Sequence, residues 1–209
     1  MEEIYHVVNK SIAGFKIFNS DSEFSRMIDT ICYYQKEHPQ VKFSKFIKEN
    51  PRGKNHESLE REKLVEIVAY CIMPTHLHLL LKQLKENGIS IFTGNVLNSY
   101  TRYFNIKHRR KGPLWEGRSK KILVETEEQL LHLTRYIHLN PVTAYLVGKP
   151  EEWLASSYRE YLLCIHEEDK ICNYKDMLDI SPSYYRKFVE EGIFYQKELA
   201  NIKKLIYEP

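Results

Sequence analysis

The chain reads Leu64-Val65-Glu66-Ile67-Val68-Ala69-Tyr70-Cys71-Ile72-Met73, then Pro74-Thr75, then His76-Leu77-His78-Leu79-Leu80-Leu81. Two apolar, partly β-branched runs on either side of a short interruption predict two strands paired as a hairpin. Alternate side chains of a strand leave on the same face. His76 and His78 therefore project together, while Leu77 and Leu79 turn into a core. Two neutral imidazoles side by side form a metal-binding edge. A pair of histidines on a surface strand that binds nothing has the same spacing. A third ligand and a nearby reactive group are what separate the two readings.

Outward from the hairpin, Ile4 to Asn9 reads as a first strand. Ser20-Asp21-Ser22-Glu23 has the form of a capping box, and the stripe Phe24, Met27, Ile28, Ile31, Tyr34 predicts a helix running to about His38, stopped by Pro39. Residues 42–63 are polar and lysine-rich, with a turn signal at Asn50-Pro51-Arg52-Gly53, and read as an insertion holding a short helix or a loop. Asn87-Gly88 is a turn, and Ser90 to about Lys107 a helix. Gly112-Pro113 breaks the chain before a short strand at Lys121 to Val124. Thr126 opens another helix expected to end near Pro141, and small helices follow around Glu152 to Cys164 and after Ser181-Pro182.

A chain of 209 residues suggests one domain, or one with a small appendage. It has no run of eighteen apolar residues, and its acidic start, Met1-Glu2-Glu3, is followed by no apolar signal core. Cys32, Cys71, Cys164 and Cys172 are scattered without a Cys-x-x-Cys pair, which predicts reduced thiols in a cytoplasmic protein. The net charge of +3 is unevenly spread. Basic residues crowd between Arg102 and Lys121, where Glu116 is the lone acid and Tyr100, Tyr103, Phe104 and Trp115 interleave. Cations for phosphates with rings for bases compose a single-stranded nucleic-acid surface. A solvated helix face with its rings turned inward has the same composition.

On the helix from Thr126, Leu130, Leu133 and Ile137 make the buried stripe. Tyr136 and Asn140 are four apart and share a face, as does His132, whereas His138 does not. A nucleophile and an amide oxygen completing a metal site need this relation. A packed tyrosine, with an asparagine that only ends the helix, shows it too.

Met73 to Leu80, Leu114-Trp115-Glu116-Gly117-Arg118 and Arg135-Tyr136-Ile137-His138-Leu139-Asn140-Pro141-Val142, in this order, resemble the single-tyrosine His-hydrophobe-His (HUH) transposases. The likeness is closest to the REP-associated branch, named for repetitive extragenic palindromes. Tyr5 to Lys10 and Ser156 to Tyr161 match as well, so the resemblance covers roughly residues 4–162. It implies an α+β fold, a central antiparallel sheet with helices packed on its faces (a ferredoxin-like nuclease core). That core would occupy residues 1–150, with 151–209 a helical C-terminal extension. It implies that His76 and His78 bind metal with Asn140 as third ligand, and that Tyr136 is the nucleophile.

The implied activity is a metal-dependent single-stranded DNA endonuclease and strand transferase acting at DNA hairpins. Mg²⁺ or Mn²⁺ would polarise the scissile phosphate, and the tyrosine would leave a 5′-phosphotyrosine and a free 3′-hydroxyl. Phosphate contacts are expected from Arg102, Arg118, Lys120 and Lys121. His132 is the candidate base from helical position, and Trp115 is expected to anchor its loop in the core. Related transposases trade the catalytic helix within a dimer, while the palindrome-associated branch looks monomeric, so monomer and homodimer both stand.

Lys10 and Ser11 depart from the family's usual arginine and glycine, which leaves the contact made there open. A histidine-triad hydrolase would want a histidine where Leu80 stands, and an amide ligand suits a harder ion than zinc. The rival function is a domesticated protein that holds a DNA or RNA hairpin without cutting it.

Overall fold

The computed structural model describes residues 3–37, 43–49 and 62–207, the last five as helical backbone only. The turn signal at Asn50 to Gly53, the stop at Pro39 and most of the polar insertion lie outside the described residues. The strands are β1 (Ile4–Lys10), β2 (Val65–Met73), β3 (His76–Gln83) and β4 (Lys120–Val124). They form one antiparallel sheet in the order β2-β3-β1-β4. Helix α1 (Asp21–Tyr34) links β1 to β2, with α2 (Phe43–Glu49) in the connection, and α3 (Gly88–Lys107) links β3 to β4. This is the split β-α-β pattern of ferredoxin-like folds, as the resemblance implied.

The hairpin forms as predicted. Met73 pairs with His76 across Pro74-Thr75, and Ile72 with Leu77. A bulge between Ile67 and Ala69 shifts the register, so Val68 and Ala69 both serve the same core and alternation resumes at Tyr70. One sheet face carries Val7, Ile67, Ile72, Leu77, Leu79 and Leu81 against α1 and α3, whose Met27, Ile31, Phe92, Val96 and Tyr100 are buried there. The other face carries Ile4, Ala69, Cys71 and Leu80 under α4 (Glu127–Thr143). Each large apolar side chain so buried stabilises the fold by about 1.5–3 kcal/mol.

Beyond α4 come the one-turn α5 (Tyr158–Tyr161), α6 (Pro182–Glu191) and α7 (Ile193–Tyr207). The predicted helix from Glu152 to Cys164 is thus a 3-10 turn at Pro150–Glu152 followed by one α turn. Between them the chain runs along the outer edge of β2. Ile72 N–H donates to the Ala155 carbonyl (2.9 Å), Ser157 N–H to the Tyr70 carbonyl (3.0 Å), and Cys71 bridges Ser156. An edge that would otherwise template foreign strands is thereby covered. Tyr158, Tyr161, Tyr185 and Val189 complete the second core, so α5 and α6 share it with α4.

Local signals hold in part. The capping box at Ser20 does not close: the Glu23 carboxylate reaches back past Ser20 to accept from Asn19 N–H (2.7 Å), and the Ser20 hydroxyl pairs with Ser22 instead of capping. Helix α1 ends at Tyr34, short of His38. Helix α3 starts at Gly88, where an added Cβ would meet the Leu64 carbonyl oxygen at 2.4 Å. Thr126 does cap α4, its hydroxyl accepting from Gln129 N–H (3.1 Å). Pro141 lies inside the last turn of α4, which runs on to Thr143. Among the described residues no helix is long and apolar enough to cross a membrane.

Candidate active site

Where β1, β3 and α4 meet, a cleft of about 510 Å³ is lined by Lys10, Ser11, Ala13, Gly14, Thr75, His76, His78, Glu116, Tyr136 and Asn140. The sheet supplies the histidines by its period of two and the helix supplies Tyr136 and Asn140 by their spacing of four. The His76 and His78 rings are 5.0 Å apart between centroids. The Tyr136 ring stands edge-on to His78 at 5.7 Å, nearly perpendicular at 89°. Two pairs far apart in the chain thus face one space, all within a single polypeptide.

The electrostatics favour lone-pair donors. Burial, with the Lys10 charge beside it, pushes the His76 imidazole down to about 4. Burial takes His78 well below the ordinary histidine value, and His76, His6 and Lys10 add to the effect. Both rings are neutral at pH 7. Asn140 Nδ2 donates to the Tyr136 carbonyl (2.8 Å), which leaves its amide oxygen as an acceptor. Burial raises the Tyr136 phenol above its usual value, and a hydrogen bond from Asn140 pulls the other way. The donor set of two neutral imidazoles and an amide oxygen fits a hexacoordinate divalent ion that keeps open positions. Among the described residues no three His, Cys, Asp or Glu side chains gather as a metal cluster.

Tyr136 is held by more than α4. Gln196 Nε2, from α7, donates to its carbonyl (3.0 Å). Two residues on, the wholly buried His138 is bonded to the Tyr185 hydroxyl (2.5 Å) and to Ser157 Oγ (2.8 Å). Burial pushes its imidazole down to about 3. This histidine, off the Tyr136 face as expected, ties α4 to α6 and to the covered edge of β2.

Other expected residues scatter. His132 is not brought to the cleft: its Nδ1 accepts from Arg135 (2.9 Å) and its ring packs edge-on against Phe188 of α6. The Arg135 guanidinium itself lies 4.2 Å over the Phe188 ring, so α6 captures that turn of the helix. Arg102 is also absent from the cleft. It lines a separate groove of about 610 Å³ with Arg26, Tyr103 and Lys107, beside α1 and α3. Val8 pairs with both His78 and Lys120, which sets Lys120 in the same cross-strand row as His78. Lys121, one residue on, turns away and donates to Ser90 Oγ (2.6 Å). Arg118 lies in the loop before β4. Trp115 anchors that loop as predicted, its indole N–H reaching Leu97 O (3.2 Å) and Thr101 Oγ1 (3.0 Å).

Three site residues escaped the sequence reading. Glu116 reaches the cleft because its N–H donates to the Lys10 carbonyl (2.9 Å), laying the loop along the end of β1. Lys10 arrives opposite His76 by strand register. His6 lies behind His78, with its Nε2 3.0 Å from His78 Nδ1. Its position in the Tyr5 to Lys10 motif was the available signal.

Residues 31–140 match the model of the IS200-like transposase family. Over 116 residues the chain is 31% identical to a Haemophilus influenzae protein whose name places it among REP-associated tyrosine transposases. That match covers 50% of this chain and 65% of the relative, so it spans slightly less than two thirds of the relative's length. Among solved structures, the fold is similar to that of a REP-associated tyrosine transposase bound to a REP hairpin, with a TM-score of 0.50 and 15% identity. The likeness covers 83% of this chain and 87% of that one, and it concerns the fold.

Proposed function

This chain belongs to the IS200-like transposase family, and from that premise we propose that it cuts and rejoins single-stranded DNA beside hairpins, using Tyr136 as nucleophile. One observation carries the reading: Tyr136, His76, His78 and Asn140 line a single cleft, although helix and hairpin are far apart in the chain.

The Tyr136 oxygen forms a bond to the scissile phosphorus and the bond from phosphorus to the 3′-oxygen breaks. The 5′ end is left on tyrosine and the 3′-oxygen takes up a proton. Reversal by a 3′-hydroxyl rejoins strands without an external energy source. The phenol is protonated at neutral pH at its ordinary value, and burial raises it further, so attack needs a proton acceptor. Glu116 is the acidic side chain lining the cleft and takes that role here. Lys10, also at the cleft, offsets phosphate charge. His76, His78 and Asn140 would hold Mg²⁺ or Mn²⁺, which supplies charge that polarises a non-bridging oxygen of the phosphate. Lys120, in the His78 row, extends the cationic surface along which the strand approaches. The site is complete within one chain, which supports action as a monomer.

The test incubates the protein with hairpin-bearing single-stranded DNA and Mn²⁺ and looks for a covalent adduct on a denaturing gel. The wild type should form it and Tyr136→Phe should not. An adduct undiminished in Tyr136→Phe removes the nucleophile assignment. Hairpin binding without any adduct from the wild type establishes a non-cleaving binding protein instead.

A further inference from the structure

We propose that His6 is a positioning residue for the His78 imidazole, fixing its tautomer so that Nε2 presents a bare lone pair to the metal; the inference rests on the metal-dependent reading of the cleft. In the β1–β3 register Val8 lies opposite His78 and Leu80 opposite His6. The two histidines are therefore diagonal neighbours on one sheet face. Their rings stack with centroids 5.2 Å apart and planes 18° from parallel. Nε2 of His6 is 3.0 Å from Nδ1 of His78. His6 is only 6% exposed, and the cleft is lined by His78 and not by His6. His6 stands behind a ligand and is not a ligand itself.

A short contact between two imidazole nitrogens requires one N–H and one lone pair. With the proton on His78 Nδ1, donated to His6 Nε2, His78 Nε2 is left unprotonated. The reverse arrangement would put the His78 proton on Nε2 and block coordination there. His76 also has a partner at Nδ1, since that atom lies 3.0 Å from Thr75 Oγ1, a hydroxyl able to accept its N–H. Each imidazole of the pair thus has a partner at Nδ1, on the side away from Nε2. Partners of this kind orient the ring and raise its basicity as a ligand. The Tyr136 ring packs edge-on to His6 at 6.2 Å as well as to His78. The same imidazole stack therefore seats both the ligand and the nucleophile.

Two measurements test this. In ¹⁵N-histidine-labelled, metal-free protein, imidazole NMR should show His78 protonated at Nδ1 and bare at Nε2. Mn²⁺ titration followed by EPR should give a Kd about 10- to 100-fold weaker for His6→Phe than for wild type. His6→Gln, whose amide oxygen can still accept from Nδ1–H, should stay within a few-fold of wild type. Unfolding midpoints and metal-free hairpin binding identify any variant that has lost its fold. The proposal is overturned by a wild-type His78 protonated at Nε2, by a folded His6→Phe with unaltered Mn²⁺ affinity, or by His6→Gln as weak as His6→Phe. A wild type that binds no Mn²⁺ overturns the reading of the cleft together with the proposal. A wild type that binds Mn²⁺ and cuts, beside a His6→Phe that does both equally, overturns the proposal alone.

Discussion

Acid should loosen this protein through His138, a residue remote from the chemistry. Its side chain is wholly buried, with one ring nitrogen on the Tyr185 hydroxyl and the other on Ser157 Oγ. A neutral imidazole offers one donor and one acceptor, so one of those hydroxyls donates and the other accepts. Charging the ring makes both nitrogens donors and leaves the donating hydroxyl without an acceptor. Burial accordingly depresses the imidazole from 6.5 to about 3 in the folded state. Because the folded value is the lower one, the unfolded chain binds the proton first. Stability linked to His138 is complete above about pH 6.5 and is lost progressively as pH falls toward 3. Between pH 7.5 and pH 5.0 the loss is about 2 kcal/mol, a sizeable part of a stability of about 5–15 kcal/mol. Urea denaturation at the two pH values, in chelator, measures it. His138→Gln should be less stable than wild type at pH 7.5, yet its stability should fall by about 2 kcal/mol less on acidification. The other buried histidines are common to both proteins and cancel. Equal acid losses in the two proteins would refute the reasoning.

Other expectations follow from the cleft and from the sheet. Glu116→Gln should slow formation of the covalent adduct by about 10²-fold or more while hairpin binding persists, as expected on removing a proton acceptor; an unchanged single-turnover rate would take Glu116 out of the mechanism. Two glycines of α3 should respond with opposite signs. Gly88→Ala places a methyl group 2.4 Å from the Leu64 carbonyl oxygen and should cost about 1–3 kcal/mol. Gly94 has nothing within 4 Å of an added Cβ, and Gly94→Ala should stabilise by up to about 1 kcal/mol through helix propensity. Calorimetric unfolding of both variants decides, and a stabilised Gly88→Ala would show that the start of α3 is not packed as described.

The parts of the site that could be read in advance are those set by local periodicity. A period of two put His76 and His78 together, and a spacing of four joined Tyr136 to Asn140, with only one strand and one helix needed for each inference. What escaped depended on pairings between distant segments. His6 is a lone histidine until β1 is laid beside β3 in a particular register, and Glu116 is a lone acid until its loop is bonded to the end of β1. His132 shows the opposite failure. Helical spacing put it on the Tyr136 face, but the turn is claimed by Phe188 on a helix that the local pattern could not position. Arg102 belongs to the densest basic run, yet α3 carries it to a groove away from the cleft. At Ser20 the capping pattern closed in neither half, because the serine hydroxyl pairs with Ser22 and the Glu23 carboxylate reaches the Asn19 N–H.

The anchoring of α4 limits how strands can be exchanged. The helix that bears Tyr136 is tied down through His138 to Tyr185 and Ser157, and through the Tyr136 carbonyl to Gln196. Lending that helix to a neighbouring molecule would uproot the tyrosine cluster beneath it and open the second core. On the proposed chemistry the tyrosine is resident, not itinerant. If two DNA ends are to be recombined, it is the ends that must take turns in one fixed cradle, and the order in which they enter and leave becomes the step that decides what is joined to what.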